Sequence, residues 1–376
     1  MRTSIVKRTL TGPRATLPLV ASLLLAASPA AQPRPQSAAT PPDVPAFLAR
    51  LDSLREASGI PGLSVAVVKD REVIVAAGLG YADPEQRLAA TAETPYNIAS
   101  VTKPIAAVVA LQLSERGALD LDRPMVEYSD WRDFCIGFSG QPSIFAKGLQ
   151  CEPLTHTLRH LLSHTAIGQA GTSFSYNPVL YSWASRPMMA VSDTSFSELV
   201  RVNVLEPAGM TRSARINRDL PLRSDLATRL APPHRVDSTG AIVRAPAPPA
   251  QGDGAAGGVI STVLDLAKFD VALDTGALIS AESRRAMMTP TRSEGGVPVP
   301  YGIGWFVQEH LGHTMVWHSG WWEDTYSALY LKIPDLRLTF IVLANSEGIW
   351  WDNPPDEAAV QRSEFAQAFF EAFVEN

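Results

Sequence analysis

Ser100-Val101-Thr102-Lys103 sets a hydroxyl and an amine one helical turn apart. Positions i and i+3 share a helix face, with Cβ atoms roughly 5–6 Å apart. An amine so placed can take the serine proton, and a hydroxyl without such a base is a poor nucleophile at neutral pH. The flanks suit this arrangement: Tyr96-Asn97-Ile98-Ala99 reads as an extended approach, and residues 104–111 as a buried helix. Ser100 then falls at a helix N-terminus, where free amides and the helix dipole favour the oxyanion of acyl transfer. Pro104 lies in the first turn, where a missing N–H costs little. Ser-x-x-Lys is frequent by chance, so the rest of the chain decides what it means.

The chain has 376 residues with 46% hydrophobic and 19% charged, a globular balance with room for one large domain or two ordinary ones. At the start, Arg2, Lys7, Arg8 and Arg14 precede an apolar run over residues 17–27, and Ser28-Pro29-Ala30 follows. That order reads as a secretory signal peptide over residues 1–30, so the mature protein is expected to be periplasmic or secreted. The run is too short to span a bilayer comfortably, and no other segment is long and apolar enough. Residues 31–43 form a Pro/Ala-rich linker. Loss of the four leading positive charges takes the net charge from −6 to −10. An acidic chain without a basic stripe is a poor nucleic-acid binder. In an oxidising compartment, Cys135 and Cys151 are close enough in sequence to favour a disulfide closing a local loop.

Residues 44–58 carry a helical stripe of Phe47, Leu48, Leu51 and Leu54, with Gly59 as a stop. Residues 63–68 and 73–78 flank a polar turn and read as a β-hairpin. Helices are expected over 104–116, 158–163, 196–204 and 261–273. Strand patterns return over 304–308, 314–318, 327–331 and 338–343. A last helix from about residue 356 sets Phe365, Phe369 and Phe373 four apart, a stripe for packing on a sheet. The predicted fold is α/β (α+β): an antiparallel sheet built from both chain ends, flanked by helices, with a mainly helical insertion. The domain spans 44–376, with sheet parts at about 44–95 and 295–376 and a helical part at about 96–294.

Two further clusters complete a constellation. Tyr176 lies in Phe174-Ser175-Tyr176-Asn177-Pro178, after a glycine-containing loop and before an apolar helix; Trp317-His318-Ser319-Gly320 reads as a strand end. In this order, with Ser100 and Lys103, the chain resembles the serine β-lactamases and penicillin-binding proteins, in the branch of class C β-lactamases, serine DD-peptidases and related esterases. The likeness covers about residues 44–374. It includes Ile60-Pro61-Gly62, the 159–165 segment (RHLLSHT), Gly209-Met210-Thr211, the 257–262 segment (GGVIST), Tyr301-Gly302-Ile303-Gly304-Trp305 and Leu343-Ala344-Asn345.

The resemblance implies Ser100 as the acylated nucleophile, Lys103 as its proton acceptor and Tyr176 as a second acid/base. It puts His318 where class C enzymes carry the lysine of Lys-Thr-Gly, and the oxyanion hole at the backbone N–H groups of Ser100 and Trp321. Gly320 would let the strand lie against the substrate, with Ser319 beside it. A protonated His318 and Lys103 would favour a Tyr176 phenolate. No cofactor or metal is called for; the partner is a small ester, peptide or β-lactam. Several residues depart from the pattern. Pro178 occupies the asparagine of Tyr-x-Asn, leaving Asn177 as the only amide there; Ala166-Ile167 replaces Ser-Gly; and histidine at 318 argues for an esterase or peptidase over a β-lactamase. Trp321 and Trp322 replace a small, glycine-rich rim, and with Trp317, Trp350 and Trp351 they suit a partly apolar substrate or pack the sheet edge.

Other readings fare worse. His156, His160 and His164 recur every four residues, yet no glutamate follows His160, so the His-Glu-x-x-His zinc logic fails. There is no Gly-x-Ser-x-Gly elbow. A non-catalytic, peptidoglycan- or partner-binding protein on this scaffold would be expected to lose the serine or the lysine, and both are present.

Overall fold

A computed structural model describes residues 12, 42–354 and 357–375. The expected signal peptide and most of the linker lie outside the described residues. The stripe over 44–58 folds as the helix Val44–Ala57, capped by Asp43 on Ala46 N–H, with Phe47, Leu51 and Leu54 buried.

Twelve strands occur among the described residues: β1 (Gly62–Lys69), β2 (Glu72–Asp83), β3 (Leu88–Ala89), β4 (Tyr96–Asn97), β5 (Ala214–Arg215), β6 (His234–Val236), β7 (Ile242–Arg244), β8 (Val259–Ser261), β9 (Phe306–His310), β10 (His313–Trp322), β11 (Tyr326–Ile333) and β12 (Leu338–Ala344). Seven form one antiparallel sheet in the order β3-β2-β1-β12-β11-β10-β9. The early hairpin and the late strands meet at its centre, where Leu63 of β1 pairs with Ala344 of β12. Both strands are almost wholly apolar because helices cover both faces. Alternate residues then serve two cores. Ala66, Val68, Ile341 and Leu343 face the inserted helices, whereas Val65, Val67, Phe340 and Val342 face the two terminal helices. The expected sheet built from both chain ends is the one observed.

Several boundaries differ from expectation for local reasons. Ser261 belongs to β8, and the helix after it runs Val263–Thr275, because Thr262 caps it through Asp265 N–H. The helix expected over 196–204 is α-helical only over Phe196–Val200 and then widens into a π-turn, Arg201–Leu205. The last helix begins at Glu364 rather than near 356, where the Ser363 side chain caps Ala366 N–H. Its Phe365 and Phe369 are buried, and Phe369 stacks on Phe340 of β12 at 4.9 Å. Cys135 and Cys151 form a disulfide, tying the helix Trp131–Ser139 to the segment before His156. No helix among the described residues is long and apolar enough to cross a membrane.

Candidate active site

The short strand β4 delivers the chain to Ser100. Asn97 pairs with Ile260, and its side chain accepts the N–H of Ala99 at 2.9 Å. Ala99 sits at φ +46°, a strained conformation for a residue with a Cβ, directly before Ser100. A 3-10 turn, Ala99–Val101, then runs into the helix Thr102–Glu115, buried on every side through Leu113. In this turn residues three apart eclipse one another. The Lys103 amine accordingly hydrogen-bonds Ser100 Oγ at 2.7 Å.

Lys103 is fully buried and forms no ion pair among the described residues. Its Nζ lies 5.0 Å from the Tyr176 ring centre and 5.4 Å from that of Tyr181, with the Ala256 carbonyl at 3.4 Å. Burial alone holds its proton affinity well below that of an ordinary lysine, because the protonated form loses its hydration. Burial thus favours the free-base form, the one able to accept the Ser100 proton.

Tyr176 reaches the same side chain, its hydroxyl hydrogen-bonded to Ser100. Its backbone is bracketed by His164, whose carbonyl accepts the N–H of Ser175 and whose Nδ1 accepts that of Asn177. The His164 ring also lies 4.3 Å from the Tyr176 ring. Here one expectation is corrected. The Tyr176 phenol is pushed up, above the ordinary phenol range, because burial outweighs the Ser100 hydrogen bond. His318 is likewise held well below the usual imidazole value, first by burial and then by Lys103. Desolvation disfavours the charged form of both groups, so the site holds a neutral phenol and a neutral imidazole.

His318 stands on β10, fully buried, its ring centre 6.1 Å from that of Tyr176. Both ring nitrogens are committed. Nδ1 donates to the Ser319 carbonyl at 2.6 Å, so Nε2 is the unprotonated nitrogen and accepts from Tyr301 O–H at 2.9 Å. Two residues on, a Cβ at Gly320 would stand 2.2 Å from the Ile98 carbonyl. The glycine therefore lets β10 close on the turn that holds Ser100. Regular pairing with β11 through Trp322 puts His318, Gly320 and Trp322 on one face. Trp322 is half-buried against the helical-side core, whereas Trp321 leaves from the other face and is 42% exposed.

The Asn177 side chain is engaged within the fold itself. Its Oδ1 caps the helix Pro178–Trp183 through Leu180 N–H, and its Nδ2 donates to the Phe145 carbonyl at 2.6 Å. Pro178 is the first residue of that helix, where proline fits and the missing N–H is not needed. Trp317 is a core residue stacked on Phe306, with its N–H on Gln308. Of the three spaced histidines, His156 bonds the Ala166 carbonyl, His160 closes a capping box with Thr157, and His164 holds the Tyr176 segment.

Sequence reasoning assigned no role to Tyr301, although its motif was visible, or to the clamp that carries Ala256. Arg215, buried among the helices, donates to Asp253 and to the Gly254 carbonyl, and Asp253 also holds the N–H groups of Phe196 and Ser197. The pair fixes the segment whose Ala256 carbonyl meets the Lys103 amine.

Residues 47–362 match the Beta-lactamase family. The chain belongs to that family. It is 26% identical to penicillin-binding protein 4* of Bacillus subtilis over 76% of its own length and 68% of that protein. It is 26% identical to a D-aminopeptidase of Gluconobacter oxydans over the same share of its length, but spans only 56% of that relative. Among solved structures, an octameric penicillin-binding protein homologue from Pyrococcus abyssi superimposes with a TM-score of 0.71 at 26% identity, covering 88% of this chain and 77% of that one. Family membership places the chain among hydrolases of the serine β-lactamase and penicillin-binding-protein type.

Proposed function

We propose that the protein is an exported serine hydrolase that cleaves ester or amide bonds of small acyl or peptide substrates through an acyl-enzyme on Ser100. The observation that carries this reading is the 2.7 Å contact between Ser100 Oγ and a fully buried Lys103 amine that has no ion-pair partner among the described residues. As Oγ attacks the substrate carbonyl carbon, its proton passes to Lys103 Nζ and the carbonyl π electrons move onto oxygen. That oxyanion lies at the helix N-terminus, with the N–H groups of Ser100 and Trp321 as its donors. The new ammonium faces the rings of Tyr176 and Tyr181 and the Ala256 carbonyl, which stabilise it without a carboxylate. On collapse, the bond to the leaving group breaks. The neutral Tyr176 phenol gives that group its proton and recovers one from Lys103. Water then repeats the sequence on the acyl-enzyme, releasing acid and restoring Ser100. His318 and Tyr301 act here as neutral positioning residues.

Esterase or peptidase activity is preferred over β-lactam hydrolysis, because residue 318 is an imidazole with both nitrogens committed and position 178 supplies no amide. The D-aminopeptidase relative favours amides of amino acids among the peptide substrates. Export is supported by the Cys135–Cys151 disulfide, a bond that persists in oxidising compartments.

Side-by-side turnover of p-nitrophenyl acetate, p-nitroanilides of D- and L-alanine, a D-Ala-D-Ala peptide and nitrocefin tests this. The expected result is ester or amide cleavage with nitrocefin slow or inert. Nitrocefin turned over faster than every ester and amide would overturn the preference.

A further inference from the structure

Beyond the C-terminal ends of β10 and β12 lies a second cleft, of about 310 Å³. Ser100, Lys103 and Tyr176 are not among its walls. One wall is aromatic: the rings of Trp321 and Trp350 stack with centres 5.8 Å apart and 27° between planes. Glu347 is held beside them, its Oε2 accepting Trp321 Nε1–H at 3.0 Å and Asp324 N–H at 3.2 Å. Its Oε1 has no hydrogen-bond partner among the described residues. Arg235, from β6, and Asp352 complete the charged lining. Neither side chain forms a hydrogen bond or a close ion pair among the described residues, although Arg235 also feels the Asp237 carboxylate on its own hairpin.

This set of groups is selective by charge. An anion that meets Arg235 also meets two carboxylates, and a cation that meets the carboxylates also meets a guanidinium. A neutral apolar molecule would strip water from all three charges and return nothing. A molecule bearing both charges, set a few ångströms apart beside an apolar body, meets every wall. A cleft of about 310 Å³ is of the size that takes a small molecule such as one amino acid.

We propose that this cleft binds a single zwitterionic α-amino acid with an apolar side chain. Its carboxylate lies on Arg235, its ammonium on Glu347 and Asp352, and its side chain against the Trp321–Trp350 pair. The site adjoins the Ser100 machinery through the Trp321 backbone, but its contacts come from the side chains of Arg235, Glu347, Asp352 and the two indoles.

Intrinsic tryptophan fluorescence of the full chain reports on it directly, since the site is lined by two indoles. Titrations compare D- and L-phenylalanine with 2-phenylethylamine, which lacks the carboxylate, and 3-phenylpropionate, which lacks the ammonium. None of the four can be hydrolysed, so turnover does not interfere. A saturable change is expected with phenylalanine of at least one hand at millimolar concentration, with each truncated analogue weaker by about tenfold or more. Arg235→Ala and Glu347→Gln should each weaken phenylalanine binding by about tenfold or more, with ester hydrolysis and melting temperature unchanged. Absence of a saturable change, equal binding of either truncated analogue, or wild-type binding in both variants would overturn the proposal. The two substitutions lie on different elements, so either variant that folds locates the phenylalanine in this cleft rather than at Ser100.

Discussion

Lys103→Ala lowers kcat/KM for a p-nitrophenyl ester by about 10²–10⁴-fold, the range set by loss of a positioned proton acceptor. Circular dichroism and a thermal melt establish that the variant is folded. Lys103→Arg fares no better, because a guanidinium stays protonated and cannot accept the Ser100 proton. That equality separates a proton acceptor from a mere positive charge. The sign of the pH dependence follows from the same burial. The competent form is the neutral amine, and burial holds its proton affinity well below the ordinary lysine value. Activity therefore rises with pH through a limb lying well below the usual lysine range, and Lys103→Ala removes that limb. Stability has a matching dependence. The unfolded chain carries one more proton at this lysine than the folded chain, so this group's contribution to stability grows as pH rises toward the ordinary lysine value. Full activity in Lys103→Arg would remove the amine from the mechanism.

Gly320→Ala has the second large effect, although it adds one methyl group outside the nucleophile turn. The new Cβ would stand 2.2 Å from the Ile98 carbonyl and 3.2 Å from the Ala328 side chain, so β10 must draw back from the turn that holds Ser100. The carbonyl is backbone and cannot rotate away. A displacement of about 1 Å in a reacting geometry costs on the order of 10²-fold in rate, and overpacking costs about 1–3 kcal/mol in stability. The variant is expected to lose about 10²-fold in kcat/KM with a lower melting temperature. Gly137→Ala serves as the control. It lies in the helix Trp131–Ser139 with open space around the added methyl, so rate should hold and stability should not fall. An unchanged rate in Gly320→Ala would show that β10 does not set the active geometry.

The parts of this site legible in the sequence are those carried by short-range spacing. Ser100 and Lys103 are three apart on one turn, and that spacing alone brings them together. The sheet was legible because β1 and β12 are continuous apolar runs and β2 follows β1 across a short polar turn. Tyr176 could be placed only through family resemblance, since the contact with Ser100 spans seventy-six positions that no periodicity links. Tyr301 and His164 gained roles only in three dimensions, because the strand with His318 and the loop with Tyr176 converge on them. The electrostatics was misjudged for a related reason. Sequence shows which groups carry charge but not how dry their surroundings are, and dryness set the sign at Tyr176 and His318. Asn177 was readable in hindsight: an asparagine directly before a proline that opens an apolar helix is a capping pattern, and the cap takes its carbonyl oxygen.

Covalent labelling tests the central claim most directly. The full chain is treated with a fluorophosphonate, its intact mass is measured, and the modified peptide is mapped, with Ser100→Ala alongside. The account predicts one adduct per chain, located on Ser100 and absent from the variant. An adduct on another residue, or equal labelling of Ser100→Ala, would contradict it.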